Sequence, residues 1–83
     1  MKVLYFAWVR ERIGVDCEEV SPPAAVGDVG SLVAWLKSRS EGHAEALGDP
    51  GRVRVAVNQE AVGPEHPVGP GDEVAFFPPM TGG

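Results

Sequence analysis

One stretch of the chain carries a full helical period, and it stands between runs that read as strands. Behind Asp28, the residues Val29, Leu32, Val33 and Leu36 fall at i, i+3, i+4 and i+7, the buried stripe of an amphipathic helix. The Asp28 carboxylate can accept the free amides of the first turn, so Asp28 is the expected N-cap. Ser31, Lys37, Arg39 and Glu41 supply the wet side, and Gly42 is the expected stop. "HAEAL" adds one further short turn before "GDPG" ends it. Trp35 falls beside the stripe, in the core or at its margin. A single helix must bury its stripe against another element, and the rest of the sequence offers strands.

The first of these is "KVLYFAWV", Lys2 to Val9, rich in β-branched and aromatic residues. Val3, Tyr5, Ala7 and Val9 take one face; Leu4, Phe6 and Trp8 take the other. Phe6 and Trp8 would then lie on an outer apolar face that one helix cannot cover, and such patches mark interfaces. "RERIG" turns the chain into a weaker strand, Val15 to Val20, hairpin-linked to the first. "RVRVAVN", Arg52 to Asn58, alternates most cleanly, with Val53, Val55 and Val57 opposite Arg52, Arg54 and Ala56. The two arginines read as a solvated face. "NQEAV" turns into a short strand near Ala61 and Val62. "GPGD" places Pro70 and Gly71 at the second and third positions of a type II turn, where the third needs a positive φ. "EVAFF", Glu73 to Phe77, is the last strand, with Val74 and Phe76 on one face and Ala75 and Phe77 on the other.

Strand, strand, helix, strand, short strand, strand is the order of the β-grasp, or ubiquitin-like, fold. The expectation is an α+β domain: a mixed sheet of about five strands on one main helix. The 83 residues make one domain, 1–83, with a flexible tail over 78–83. A chain this short buries only about 60–65% of its unfolded surface, which leaves no room for a deep catalytic cavity. Chemistry would be shared with a partner. Seven basic against twelve acidic residues give a net charge of −5, the wrong sign for a nucleic-acid or anionic-membrane binder. One cysteine, Cys17, excludes an internal disulfide. No segment reads as a signal peptide or a membrane span, so the cytoplasm is expected.

Most catalytic templates are absent. Cys17 has acidic neighbours Asp16, Glu18 and Glu19, which raise a thiol's pKa, so it reads as a small core or edge residue. His43 and His66 are isolated and make no metal motif. What remains is the end of the sequence, "FFPPMTGG". A terminal carboxylate is a carbonyl that another enzyme can activate. Gly82 and Gly83 have no side chains to obstruct a narrow channel, and Pro78 and Pro79 stiffen the exit from the sheet. The end reads as an arm, stiff at its root and thin at its tip.

"GDEVAFFPPMTGG", "KVLYFAWVRERIG" and "VAVNQEAV" together resemble the MoaD family, the small subunits of molybdopterin synthase and ubiquitin-like sulfur carriers. The likeness spans nearly the whole chain, and "DEVAFFPP" before Gly-Gly is its most specific part. Met80 stands where a smaller apolar residue is common. The resemblance implies a role in molybdenum cofactor biosynthesis. An ATP-dependent adenylating enzyme of the MoeB type would activate the Gly83 carboxylate. A sulfur donor would convert it to a thiocarboxylate. The tail would then enter the large subunit, of the MoaE type, and give sulfur to cyclic pyranopterin monophosphate. The chain would have no side-chain active site and no permanently bound cofactor, only ATP used by its activator and covalent sulfur on Gly83. Ala75, Phe77, Pro78, Pro79, Met80, Thr81 and Gly82 would be the partner contacts. The rival readings are a carrier for thiamin, cysteine or tRNA thiolation, a ubiquitin-like modifier, or a β-grasp interaction module.

Overall fold

The computed structural model describes residues 1–79. In chain order they form β1 (Lys2–Tyr5), α1 (Ala7–Ile13), β2 (Cys17–Glu19), α2 (Val29–Lys37), α3 (Glu41–Leu47), a 3-10 turn (Pro50–Arg52), β3 (Arg54–Val57), β4 (Glu60–Val62) and β5 (Glu73–Phe77). The sheet order is β2-β1-β5-β3-β4, with β1 and β5 parallel and the other pairs antiparallel. This is the expected mixed five-stranded sheet of a β-grasp domain. The main helix, α2, is joined by two shorter ones.

The first strand is half as long as its composition suggests. Ala7 takes φ 53, a left-handed conformation that breaks the pleat, and the chain enters α1 there. The helix therefore takes Trp8 and Val9 out of the sheet. It ends at Gly14, whose φ of 98 favours glycine and whose N–H reaches the Arg10 carbonyl at 2.8 Å. So β1 and β2 are joined by a helix rather than by a tight hairpin turn, and Phe6 and Trp8 do not belong to an outer sheet face.

Asp28 caps α2 as expected. Ser31 does more than face water: its N–H donates to Asp28 Oδ1 at 2.8 Å, and its Oγ accepts the Asp28 N–H at 3.2 Å, closing a capping box. The Ser31 hydroxyl also donates to Asp28 Oδ1 at 2.6 Å, and that bond first, then the one from the Ser31 N–H, holds the Asp28 carboxyl below its usual range. Val29, Leu32 and Leu36 are buried, Val33 is half-buried, and Trp35 packs at the core margin under the Arg39 guanidinium, 4.9 Å from its ring.

Gly42 is not a stop. The helix α2 already ends at Ser38, and Gly42 is the second residue of α3. A Cβ there would lie 2.6 Å from the Arg12 carbonyl oxygen, so glycine lets α3 press against the end of α1. The obstructing atom is backbone, and the helices must part to relieve it. Gly42→Ala should cost about 1–3 kcal/mol through overpacking, read as a drop of roughly 5 °C or more in melting temperature. An unchanged melt would show that the contact yields freely.

The turn at Pro70–Gly71 forms, with the Asp72 N–H on the Gly69 carbonyl at 3.1 Å. Gly71 does not take a positive φ, so the turn is not type II. Asn58 and Gln59 do take positive φ, 50 and 72, and make the two-residue loop between β3 and β4.

Among the core residues are Val3 and Tyr5 of β1, Val9 of α1, Val29, Leu32 and Leu36 of α2, Leu47 of α3, Val57 of β3, and Val74 and Phe76 of β5. All three helices contribute to this one cluster, so they lie on one face of the sheet. Among the described residues no helix is long and apolar enough to cross a membrane.

Candidate functional site

The last strand is the centre of the sheet. It is flanked by β1 and β3, in registers that set Phe76 beside Tyr5 and Val55, and Phe77 beside Arg54. Both of its ends are tied. At the start, the Asn58 N–H donates to the Glu73 carbonyl at 2.8 Å, and Asn58 Oδ1 accepts the Glu73 N–H at 3.1 Å. Asn58 Nδ2 also donates to Asp72 Oδ1 at 2.9 Å, and this bond first, then one from the Gly69 N–H, holds the Asp72 carboxyl low. At the far end, the Phe6 N–H donates to the Phe76 carbonyl at 3.0 Å. Pro78 and Pro79 follow. Neither has an N–H, so the ladder cannot continue through them and the chain must leave the sheet.

Alternation along β5 then sorts its side chains. Val74 and Phe76 are fully buried beneath the helices, as the sequence predicts. Ala75 and Phe77 are half-buried on the other face. The registers place Cys17, Leu4, Ala75, Ala56 and Ala61 side by side across all five strands on that face. It is a low, apolar surface without a helix over it, and it runs up to Phe77 and the half-buried Pro78 and Pro79. Four of the expected partner contacts, Ala75, Phe77, Pro78 and Pro79, are thus contiguous. Met80, Thr81, Gly82 and Gly83 lie outside the described residues.

Two residues near this exit were not legible as part of it. Phe6, which N-caps α1, is 48% exposed beside Phe76 and Phe77. Trp8 stands on the first turn of α1 with the Arg52 guanidinium 4.8 Å from its ring. Arg52 is therefore in the 3-10 turn rather than on a strand face with Arg54.

The titratable cluster of the molecule lies elsewhere, on the helical side. Glu18 Oε2 accepts the Tyr5 hydroxyl at 2.7 Å and lies 2.7 Å from His43 Nε2, while Ser40 Oγ is 2.7 Å from His43 Nδ1. With a proton on Nε2 the ring donates to Glu18, and Nδ1 pairs with the Ser40 hydroxyl. His43 is buried and Arg39 approaches the other Glu18 oxygen at 3.7 Å. The cluster ties β1, β2 and α3 together and leaves no polar atom of theirs buried without a partner among the described residues. Burial pushes the Tyr5 phenol well up, and the Glu18 carboxylate adds to that. Burial also pushes Glu18 up, but hydrogen bonds from His43 and Tyr5 and the charges of His43 and Arg39 outweigh it and hold the carboxyl low. The folded value lies below the unfolded one, near 4.5. Its stabilisation is therefore complete above that pH and lost as pH falls through the depressed folded value. Melting temperature followed from pH 6 to 3 should fall more steeply for the native chain than for Glu18→Gln. Parallel curves would remove Glu18 from the acid response.

An open apolar recess of about 330 Å³ lies between α2 and β3–β4, lined by Val29, Val33, Leu47, Val55, Val62 and Phe76 among others. Among the described residues Arg54 is its one ionisable group, which makes no acid–base pair there. Among the described residues no group of three or more His, Cys, Asp or Glu could hold a metal. Cys17 is exposed on the edge strand β2. The described part of the site is a firmly tied strand end and the apolar surface that runs up to it.

Residues 3–83 match the ThiS family. The molybdopterin synthase sulfur carrier subunit of Escherichia coli (strain K12) is 48% identical over 83 residues, all of this chain and 99% of that one. Among solved structures, the putative molybdopterin converting factor, subunit 1, from Pyrococcus furiosus has a TM-score of 0.80 and 32% identity over 95% of each chain. SAMP1 from Haloferax volcanii has a TM-score of 0.76 and 27% identity over 100% of this chain and 98% of that one.

Proposed function

This chain belongs to the ThiS family, and from that premise we propose that it is a sulfur carrier in molybdenum cofactor biosynthesis, the small subunit of a molybdopterin synthase. The observation that carries the proposal is the 48% identity over its whole length to a subunit of that name. The central, doubly tied β5 supports it, because a carrier needs a firm root for the residue it presents.

The chemistry falls to Gly83. Its carboxylate attacks the α-phosphate of ATP in an adenylating enzyme of the MoeB type and releases pyrophosphate. A donor sulfur displaces AMP from the acyl adenylate and leaves a thiocarboxylate. The mixed anhydride is needed because a carboxylate is a poor electrophile and AMP is a good leaving group. The tail, Met80 to Gly83, then reaches into a large subunit of the MoaE type, where the sulfur passes to cyclic pyranopterin monophosphate. Acid–base groups and substrate phosphate contacts come from that partner. Ala75, Phe77, Pro78 and Pro79 provide the apolar surface on which both partners dock, and the process belongs to the cytoplasm.

Intact-mass measurement tests this. After incubation with ATP, the adenylating enzyme and a sulfur source, the chain should exchange one oxygen for one sulfur. No mass change, with an enzyme competent on another carrier, defeats the proposal. Sulfur uptake without dithiolene formation, once the large subunit and the pterin precursor are added, assigns the sulfur to a different acceptor.

A further inference from the structure

We propose that Trp8 and Arg52 are positioning residues. Their stacked side chains form a strap over the root of the tail, on the helical side of β5, and turn Pro78 and Pro79 toward the outer sheet face. The proposal rests on the sulfur-carrier reading and adds to it what aims the reacting end.

In the sheet, β5 lies between β1 and β3. Trp8 belongs to the first turn of α1, just beyond β1, and Arg52 to the 3-10 turn just ahead of β3. The registers Tyr5–Phe76 and Arg54–Phe77 therefore set both of them beside the stretch that follows Phe77. Neighbouring strands are about 4.8 Å apart, so the two flanks of β5 stand roughly 9–10 Å from each other. Yet the Arg52 guanidinium lies 4.8 Å from the Trp8 ring centroid. Side chains that start on opposite flanks of β5 meet only by crossing its line. Val9 is buried in the core, Trp8 packs against that core, and α1 touches β5 as well as β1, which puts the crossing on the helical side. Pro78 and Pro79 lie past the last strand and are still half-buried, as a covered root requires.

Both ends of the strap are anchored in the backbone. Under Trp8, the Phe6 carbonyl accepts the Val9 N–H at 3.1 Å, while the Phe6 N–H holds the Phe76 carbonyl. At Arg52, the Asp49 side chain accepts the Gly51 N–H at 3.0 Å and the Asp49 carbonyl accepts the Arg52 N–H at 3.0 Å. Arg52 is in no ion pair among the described residues, and the indole face, the most attractive of the aromatic faces for a cation, is its partner. Proline fixes φ, so a direction set at Pro78 is carried forward stiffly. With the helical side closed, the chain beyond Pro79 starts from the face that holds Ala75 and Phe77, the proposed docking surface. Docking and insertion then address the same partner. Without the strap only a fraction of docked chains has the tail correctly aimed, and turnover falls by that fraction while docking is unchanged.

Two measurements on the full chain test this. In proton NMR, the Trp8 indole should show nuclear Overhauser contacts to Pro78 or Pro79, and Arg52→Met should weaken them. Their absence from the native spectrum overturns the proposal. With the adenylating enzyme and ATP, pyrophosphate release should fall on the order of tenfold in kcat for Arg52→Met, while its affinity for the enzyme, read by calorimetry, holds. Arg52→Lys keeps a cation over the ring and should recover most of the rate. Trp8→Leu should match Arg52→Met, and the double variant should be no slower than either. Lys37→Met, the same charge loss on an exposed residue of α2, should stay near native. Arg52 is exposed, so the Arg52→Met arm stands even where Trp8→Leu folds poorly. Deficits that multiply in the double variant, a deficit that vanishes at high salt, or a loss of affinity in place of rate each overturn the proposal. Absence of pyrophosphate release from the native chain counts against the carrier reading, whereas normal release that Arg52→Met leaves unchanged counts against the strap alone.

Discussion

A chain lacking Gly82 and Gly83 should melt with the full-length protein, bind the large subunit, and take up no sulfur. Each part follows from where the fold ends. Among the described residues, the core lies at or before Phe76 and the last strand ends at Phe77. Removing the last two residues therefore leaves every described strand in place. The proposed docking face of Ala75, Phe77, Pro78 and Pro79 also survives, so calorimetric titration with the large subunit should still give a complex, and the truncated chain should compete with the native one. Thiocarboxylate formation should fall to background by intact mass, because the proposed function makes the Gly83 carbonyl the reacting group. Sulfur uptake by the truncated chain would place the chemistry elsewhere.

Phe76→Ala and Phe77→Ala should separate folding from docking although the residues are neighbours. Phe76 is fully buried, stacks on Tyr5 with ring centroids 6.0 Å apart, and pairs with Val55. Truncating such a side chain costs about 3–5 kcal/mol. A small domain has only about 5–15 kcal/mol in total, so denaturant melts should show a severely weakened or partly unfolded chain. Phe77 points to the other face and is half-buried. Its alanine variant should melt close to native and lose affinity for the large subunit. A Phe77→Ala variant as unstable as Phe76→Ala would mean that the outer face is part of the core.

The sequence was most legible where one local signal acted alone. The stripe behind Asp28 had a cap, a period and no competitor, and the structure follows it to Lys37. In β5, period-2 alternation between Asp72 and Pro78 left no second reading. The failures are places where a tertiary contact overrode the local pattern. "KVLYFAWV" alternates well enough for a strand, but Ala7 turns left-handed and α1 begins there. The signals for that helix, Arg10 and Arg12 late in it and Gly14 just past its end, were present and were outvoted by aromatic content. Gly42 looked like punctuation because only the folded chain brings Arg12 against it. The Glu18–His43–Tyr5 cluster spans three elements, and no spacing announces it. The exit site was half legible: alternation predicts Ala75 and Phe77, whereas the roles of Phe6 and Arg52 depend on where α1 starts.

The parallel pairing of β1 with β5 has a mechanical consequence. A partner that grips the tail and draws it into a pocket pulls along the axis of β5. An edge strand under such a load peels, one hydrogen bond at a time. A central strand held on both sides, by β1 and by β3, is loaded in shear, and its bonds must fail together. The domain can therefore be hauled by its tail without unravelling, and the work done in threading that end is not dissipated in the body that carries it.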